Sequence, residues 1–171
     1  MIGAVAALLL MTSTCYVPPI DAPVVDPFRA PACVFCSGNR GLEYLPHSGA
    51  TVVAAAPGVV AFSGMVAGVR YLVVDQADGR TATYGRIAVA RVGVGHLVVA
   101  GDVVATTGDH FYFGLRQGQV YIDPAPFLGS PRYRPRLVPT DGSAPRTPPR
   151  PTLVCAAPRR GSGWATAAPR R

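Results

Sequence analysis

Between Gly41 and Leu128 the apolar residues come in short β-branched runs, each cut off by glycine or proline, and none keeps a helical period over twelve residues. Thr51-Val52-Val53-Ala54-Ala55-Ala56 stops at Pro57-Gly58, and Val59-Val60-Ala61-Phe62 stops at Ser63-Gly64. Tyr71-Leu72-Val73-Val74 and Thr81-Ala82-Thr83-Tyr84 flank Asp78-Gly79, a pair suited to a hairpin turn because glycine takes a left-handed backbone without strain. Runs at Leu97-Val98-Val99-Ala100, Val103-Val104-Ala105-Thr106, Phe111-Tyr112-Phe113 and Val120-Tyr121-Ile122 follow. Short strands at this spacing predict an all-β barrel or sandwich. A coiled coil or helical bundle is excluded by 19 Gly and 18 Pro in 171 residues, and that length suits one domain.

The basic character is segregated. All 16 basic residues are Arg; residues 16–130 hold seven of them against eight acids, whereas residues 131–171 hold nine against a single Asp. A nucleic-acid-binding fold would carry its charge on the folded part, so the distribution argues against that partner. The Pro- and Arg-rich stretch from Pro131 shows no apolar periodicity and is expected to be a mostly disordered tail, with Leu137-Val138-Pro139 and Cys155 as its points of attachment.

Ile2 to Met11 is the one long apolar run, and at ten residues it is too short to span a bilayer. It reads as the core of a secretion signal, followed by Thr12-Ser13-Thr14 and Cys15. Cys15 is in place for lipid attachment, which would give a membrane anchor. In a secreted chain four cysteines read as disulfides. Cys33 and Cys36 are close enough to pair, which would leave Cys15 and Cys155 to tie the tail to the start, but three connectivities are open. Pro31 before Cys33 and Ser37-Gly38-Asn39-Arg40-Gly41 after Cys36 suit a loop staple better than a redox motif at a helix start. The organisation expected is a signal-like segment 1–15, a Pro-rich lead-in 16–37, a β domain 38–130 and a basic tail 131–171.

The ordered series of strands resembles the lysostaphin/LytM-type zinc endopeptidases that cut peptidoglycan, over about residues 38–129. Gly49 to Val60 is similar to the family's "G-T-P-V-x-A-A-A-x-G-x-V", and Asp78 to Ile87 to its "D-G-x-x-T-x-Y-A-H-L" hairpin. Val94 to Gly101 resembles "V-x-x-G-x-x-V-x-x-G", and His110 to Pro124 resembles "H-L-H-F-E-V-R … V-D-P". The resemblance implies a duplicated hybrid-motif β fold and a zinc ion held by "H-x-x-x-D" and the second His of "H-x-H". Those ligand positions carry Asn39, Glu43 and Tyr112 here, and the hairpin His falls on Arg86. Only His110 keeps its identity, at the general-base position. A neutral amide and a phenol with a reference pKa near ~10 are poor zinc partners, and Arg86 brings positive charge beside a cation. Without the metal, water keeps a pKa of about 15.7 and supplies no nucleophile at neutral pH.

No other catalytic constellation stands out. Ser63 lacks a Gly-x-Ser-x-Gly frame, Glu43 is the single Glu, and no glycine-rich phosphate loop opens a helix. His47 and His96 read as loop residues. The expectation is therefore a secreted, bacterial, envelope-associated protein without a cofactor, in which Asn39, Glu43, Tyr84, Arg86, His110 and Tyr112 line a groove. Its partners would be peptidoglycan or, as the resemblance to degenerate members implies, a cell-wall amidase. The rival readings are an active zinc metalloendopeptidase with an atypical site and a purely structural wall-associated module.

Overall fold

The computed structural model describes residues 15–33, 35–132, 139–140, 142–144, 147 and 152–155. The signal-like residues before Cys15 and the Leu137-Val138 pair lie outside the described residues.

The chain is all-β. Among the described residues the strands are β1 (Val24–Asp26), β2 (Gly41–Tyr44), β3 (Thr51–Val53), β4 (Gly58–Val66), β5 (Val69–Gln76), β6 (Arg80–Ala90), β7 (Leu97–Val98), β8 (Val103–Gln117), β9 (Val120–Ile122), β10 (Ser130–Arg132) and β11 (Thr152–Val154), with a 3-10 turn at Ala125–Phe127. The main sheet runs β1-β2-β8-β6-β5-β4-β7, and β3 and β9 also join β8. β8 is the spine. It pairs with β6 along one edge and with β3, β2 and β9 in turn along the other. Phe111, Phe113 and Leu115 alternate inward from β8 and are fully buried. The Tyr84 ring packs on both phenylalanines, with centroids 6.5 and 5.3 Å away.

Two expected breaks do not occur. β4 continues through Ser63-Gly64 to Val66, and the reversal comes at Ala67-Gly68, where both residues have positive φ as a two-residue hairpin requires. The runs at Val103 and Phe111 are one strand of 15 residues that passes through Gly108. A strand break is also found where none was expected. Ala54, Ala55 and Ala56 leave the strand conformation yet are buried, because their backbone is met elsewhere: the Ala54 N–H donates to the Asp102 carbonyl and the Ala55 N–H to the Tyr84 hydroxyl. The hairpin at Asp78-Gly79 forms as expected, with Gly79 at φ 83°.

The lead-in is part of the folded body. Tyr16 is fully buried; its N–H donates to the Phe127 carbonyl and its carbonyl accepts from Gly129. Cys15 is bonded to Cys155 and Cys33 to Cys36. The Cys15 sulfur cannot carry a lipid thioether while it is held in that bond. β11, just before Cys155, pairs with β10, so this portion of the sequence past Pro131 returns to the body.

The Tyr16 hydroxyl donates to the Asp78 carboxylate at 2.6 Å, and Arg80 donates to the same oxygen at 2.7 Å while stacking on the Phe127 ring. Partial burial opposes the charge of Asp78, but the hydrogen bonds from Tyr16 and Arg80 outweigh it and hold the carboxyl below the ordinary carboxylate range. A depressed folded-state pKa contributes stability above the unfolded value near ~3.9, and that contribution is lost as pH falls through the folded value. Asp78→Asn is therefore expected to destabilise by about 2 kcal/mol at neutral pH. Urea unfolding at stepped pH should show the gap to the parent protein closing below pH ~3.9.

Candidate functional site

Opposite the phenylalanine face, β8 turns Tyr112 outward across from Glu43 of β2 and Gly85 of β6. The Tyr112 ring lies on a floor of glycines. A Cβ built at Gly41 would come within 2.7 Å of the ring, one at Gly114 within 2.5 Å of the hydroxyl, and one at Gly85 within 3.1 Å of the ring edge. Burial pushes the Tyr112 phenol pKa well up, and Tyr121, Glu43 and Tyr71 add to the shift. Deprotonating this hydroxyl to make a ligand is thus harder than in water.

Arg86 reaches the same face through a bulge. Alternation from Tyr84 would send Arg86 inward, but the register shifts between Gly85 and Ile87, and Arg86 sits at φ 58°. Ile87 takes the inward position at 4% exposure, and the guanidinium turns out to lie 3.5 Å from Glu43 Oε1. The same shift separates Tyr84 from the expected groove. Tyr84 is fully buried, with its hydroxyl committed to the Ala55 N–H, so it does not line a face with Arg86.

Asn39 is also elsewhere than expected. It is buried, its Nδ2 donates to the carbonyls of Asp26 and Pro27 at 3.1 Å each, and its Oδ1 accepts from the Gly41 N–H at 3.2 Å. Its backbone pairs in both directions with Arg29. It fastens the lead-in to β2, and its amide oxygen already holds a backbone N–H. His110, two residues before Tyr112 on β8, is exposed. His47 is exposed with Nδ1 near the Ser48 carbonyl, and His96 is exposed and closes the turn that begins at Gly93, its N–H donating to the Gly93 carbonyl. The structure thus joins Glu43, Arg86 and Tyr112, leaves His110 exposed on β8, and removes Asn39 and Tyr84 to other duties.

One feature of this side was missed from sequence. A groove of about 780 Å³ lies between the lead-in and β9, lined by Pro31, Cys33, Phe35, Cys36, Arg40 and Tyr121 among others. Arg40 stands over the Tyr121 ring at 5.8 Å. Nothing in the local pattern marks Tyr121, because its neighbour across the groove is far away in the chain.

Residues 37–124 match the model of Peptidase family M23. The chain belongs to that family. Among curated protein sequences none matches it. Among solved structures, Csd3 of Helicobacter pylori in its orthorhombic crystal aligns with a TM-score of 0.59 at 19% identity, covering 67% of this chain and 34% of Csd3. The SpoIIQ-SpoIIIAH pore forming complex contributes a chain with a TM-score of 0.60 at 18% identity, covering 68% of this chain and 92% of that one. The catalytic domain of the antimicrobial peptidase lysostaphin from Staphylococcus simulans gives 0.55 at 19% identity, with 62% and 91% covered. The chain spans about a third of the length of Csd3. At these identities the likeness establishes the fold.

Within the M23 fold, the residues at the metal-ligand positions do not fit zinc. Asn39 is spent on backbone groups, Glu43 faces a guanidinium, and Tyr112 is a phenol whose pKa burial raises. Among the described residues no group of three or more His, Cys, Asp or Glu stands together as a metal cluster. This is a degenerate M23 domain that lacks most of the family's zinc ligands.

Proposed function

We propose that this chain is a non-catalytic M23 module of the bacterial envelope that binds peptidoglycan or, through the same face, regulates a cell-wall hydrolase. The observation that carries the reading is that Asn39 is spent on backbone groups and Glu43 faces a guanidinium, while the outward face between β2, β6 and β8 keeps Glu43, Arg86 and Tyr112 together. A carboxylate, a guanidinium and an aromatic ring can hydrogen-bond and stack on a peptide stem without cleaving it. Arg86 supports a binding role in particular. A non-glycine residue in the left-handed region costs on the order of 1 kcal/mol, and a half-exposed ion pair returns no more than about that. The two disulfides suit an oxidising compartment such as the envelope. The organisation that goes with this reading is a signal-like leader, a Pro-rich lead-in, the β domain as binding body and an Arg-rich tail drawn to anionic wall polymers in a salt-sensitive way.

The test uses the full chain after secretion. It is expected to purify without stoichiometric zinc, to co-sediment with cross-linked peptidoglycan, and to leave that peptidoglycan uncut. Arg86→Gly is expected to keep the thermal midpoint of the parent and to weaken sedimentation about tenfold, the loss of one charged contact of about 1.4 kcal/mol. Stoichiometric zinc together with chelator-sensitive cleavage would overturn the reading.

A further inference from the structure

The two disulfides occupy different mechanical positions. Cys15–Cys155 joins residues 140 apart, and its sulfurs sit against the Phe127 carbonyl and the Gly129 backbone. Cys33–Cys36 closes a ring with a sequence separation of 3 at the tip of the excursion between Arg29 and Asn39. The base of that excursion is pinned without it. Arg29 and Asn39 exchange backbone hydrogen bonds, Asn39 holds the Asp26 and Pro27 carbonyls, and Arg29 pairs with Asp26. A ring so short restrains little chain entropy, so opening it requires no unfolding. Cys33 is exposed, and Phe35, inside the bridge, is 97% exposed. Both cysteines line the groove that Arg40 and Tyr121 share.

We propose that Cys33–Cys36 is a thiol–disulfide exchange site for an external protein dithiol of the Cys-x-x-Cys class, docked through Phe35, while Cys15–Cys155 is structural. The partner's thiolate attacks the exposed Cys33 sulfur, the Cys33–Cys36 bond breaks, and Cys36 leaves as a thiolate that takes up a proton. The partner's second thiolate then attacks its own sulfur in the mixed disulfide, forms the partner's disulfide and releases Cys33 as a thiolate, which is protonated in turn. Two electrons and two protons pass from the partner dithiol to this chain. The product keeps its core and loses one stapled wall of the groove.

The experiment treats the folded, oxidised full chain with dithiothreitol, and separately with a thioredoxin whose resolving Cys is replaced by Ser, and then alkylates and maps the thiols by peptide mass spectrometry. Cys33 and Cys36 are expected to become labelled at least an order of magnitude faster than Cys15 and Cys155, with near-UV circular dichroism retained, and the trapped adduct is expected on Cys33. Phe35→Ser is expected to slow the thioredoxin reaction several-fold and to leave the dithiothreitol rate unchanged. Equal labelling of both pairs, labelling of Cys33 and Cys36 only in denaturant, or an adduct on Cys15 or Cys155 would overturn the exchange site. An unchanged thioredoxin rate in Phe35→Ser would overturn the docking role. Because the readout is thiol chemistry on this chain, a failure to bind peptidoglycan neither supports nor weakens the exchange site.

Discussion

Cys155→Ser is expected to destabilise the protein by up to about 5 kcal/mol, the chain-entropy value for closing a loop of 140 residues. The geometry explains why the whole body should feel it. β10 and β11 form a two-stranded ribbon of three residue pairs, and such a ribbon is marginal by itself. The disulfide joins that ribbon to Cys15, next to Tyr16, whose ring is buried and whose backbone bonds to Phe127 and Gly129. Without the bond, the ribbon and the lead-in must hold each other through a few hydrogen bonds. Chemical denaturation of Cys15→Ser, Cys155→Ser and the double variant should give nearly the same loss, because all three remove the same cross-link. Cys33→Ser with Cys36→Ser is expected to cost about 2 kcal/mol, as a ring of a few residues restrains little. A double variant at Cys15 and Cys155 with parent stability would show that the ribbon is held by other means.

What the sequence discloses here depends on how far apart the interacting residues are. The Asp78-Gly79 hairpin was legible because the left-handed glycine and the flanking β-branched runs are local. Tyr84 and Arg86 were both expected in the groove, but the bulge between Gly85 and Ile87 turns only Arg86 outward, and no glycine stands at its left-handed position to announce it. Ser63-Gly64 and Gly108 looked like strand ends but are strand interiors. β5 supplies partners on both sides of Ser63-Gly64, and a Cβ at Gly108 would meet nothing within 4 Å. Asn39 was readable as a lost metal ligand and unreadable as a latch, because the carbonyls it holds, Asp26 and Pro27, lie 13 and 12 residues earlier at the end of the short strand β1.

Gly41→Ala is expected to cost about 3 kcal/mol, at the upper end of overpacking substitutions. The new methyl would fall inside 3.0 Å of the Phe113 carbonyl oxygen as well as 2.7 Å from the Tyr112 ring. The first neighbour cannot give way: Phe113 is opposite Leu42 in the ladder, and its side chain is fully buried. Gly114→Ala separates the two causes. Its nearest atoms are the Tyr112 hydroxyl at 2.5 Å and ring carbons at 2.9 Å, all on a side chain that can swing away. That variant should lose about 1 kcal/mol and expose the phenol. Burial is the main reason the Tyr112 pKa is raised, so release should bring its ionisation back toward the ordinary value near ~10, visible as tyrosinate absorption at lower pH than in the parent. If Gly114→Ala left the tyrosine titration unchanged, the ring would not be the plug that fills this face. If Gly41→Ala were neutral, the strands could separate enough to admit a side chain, and the face would be less fixed than a binding surface built on Tyr112 requires.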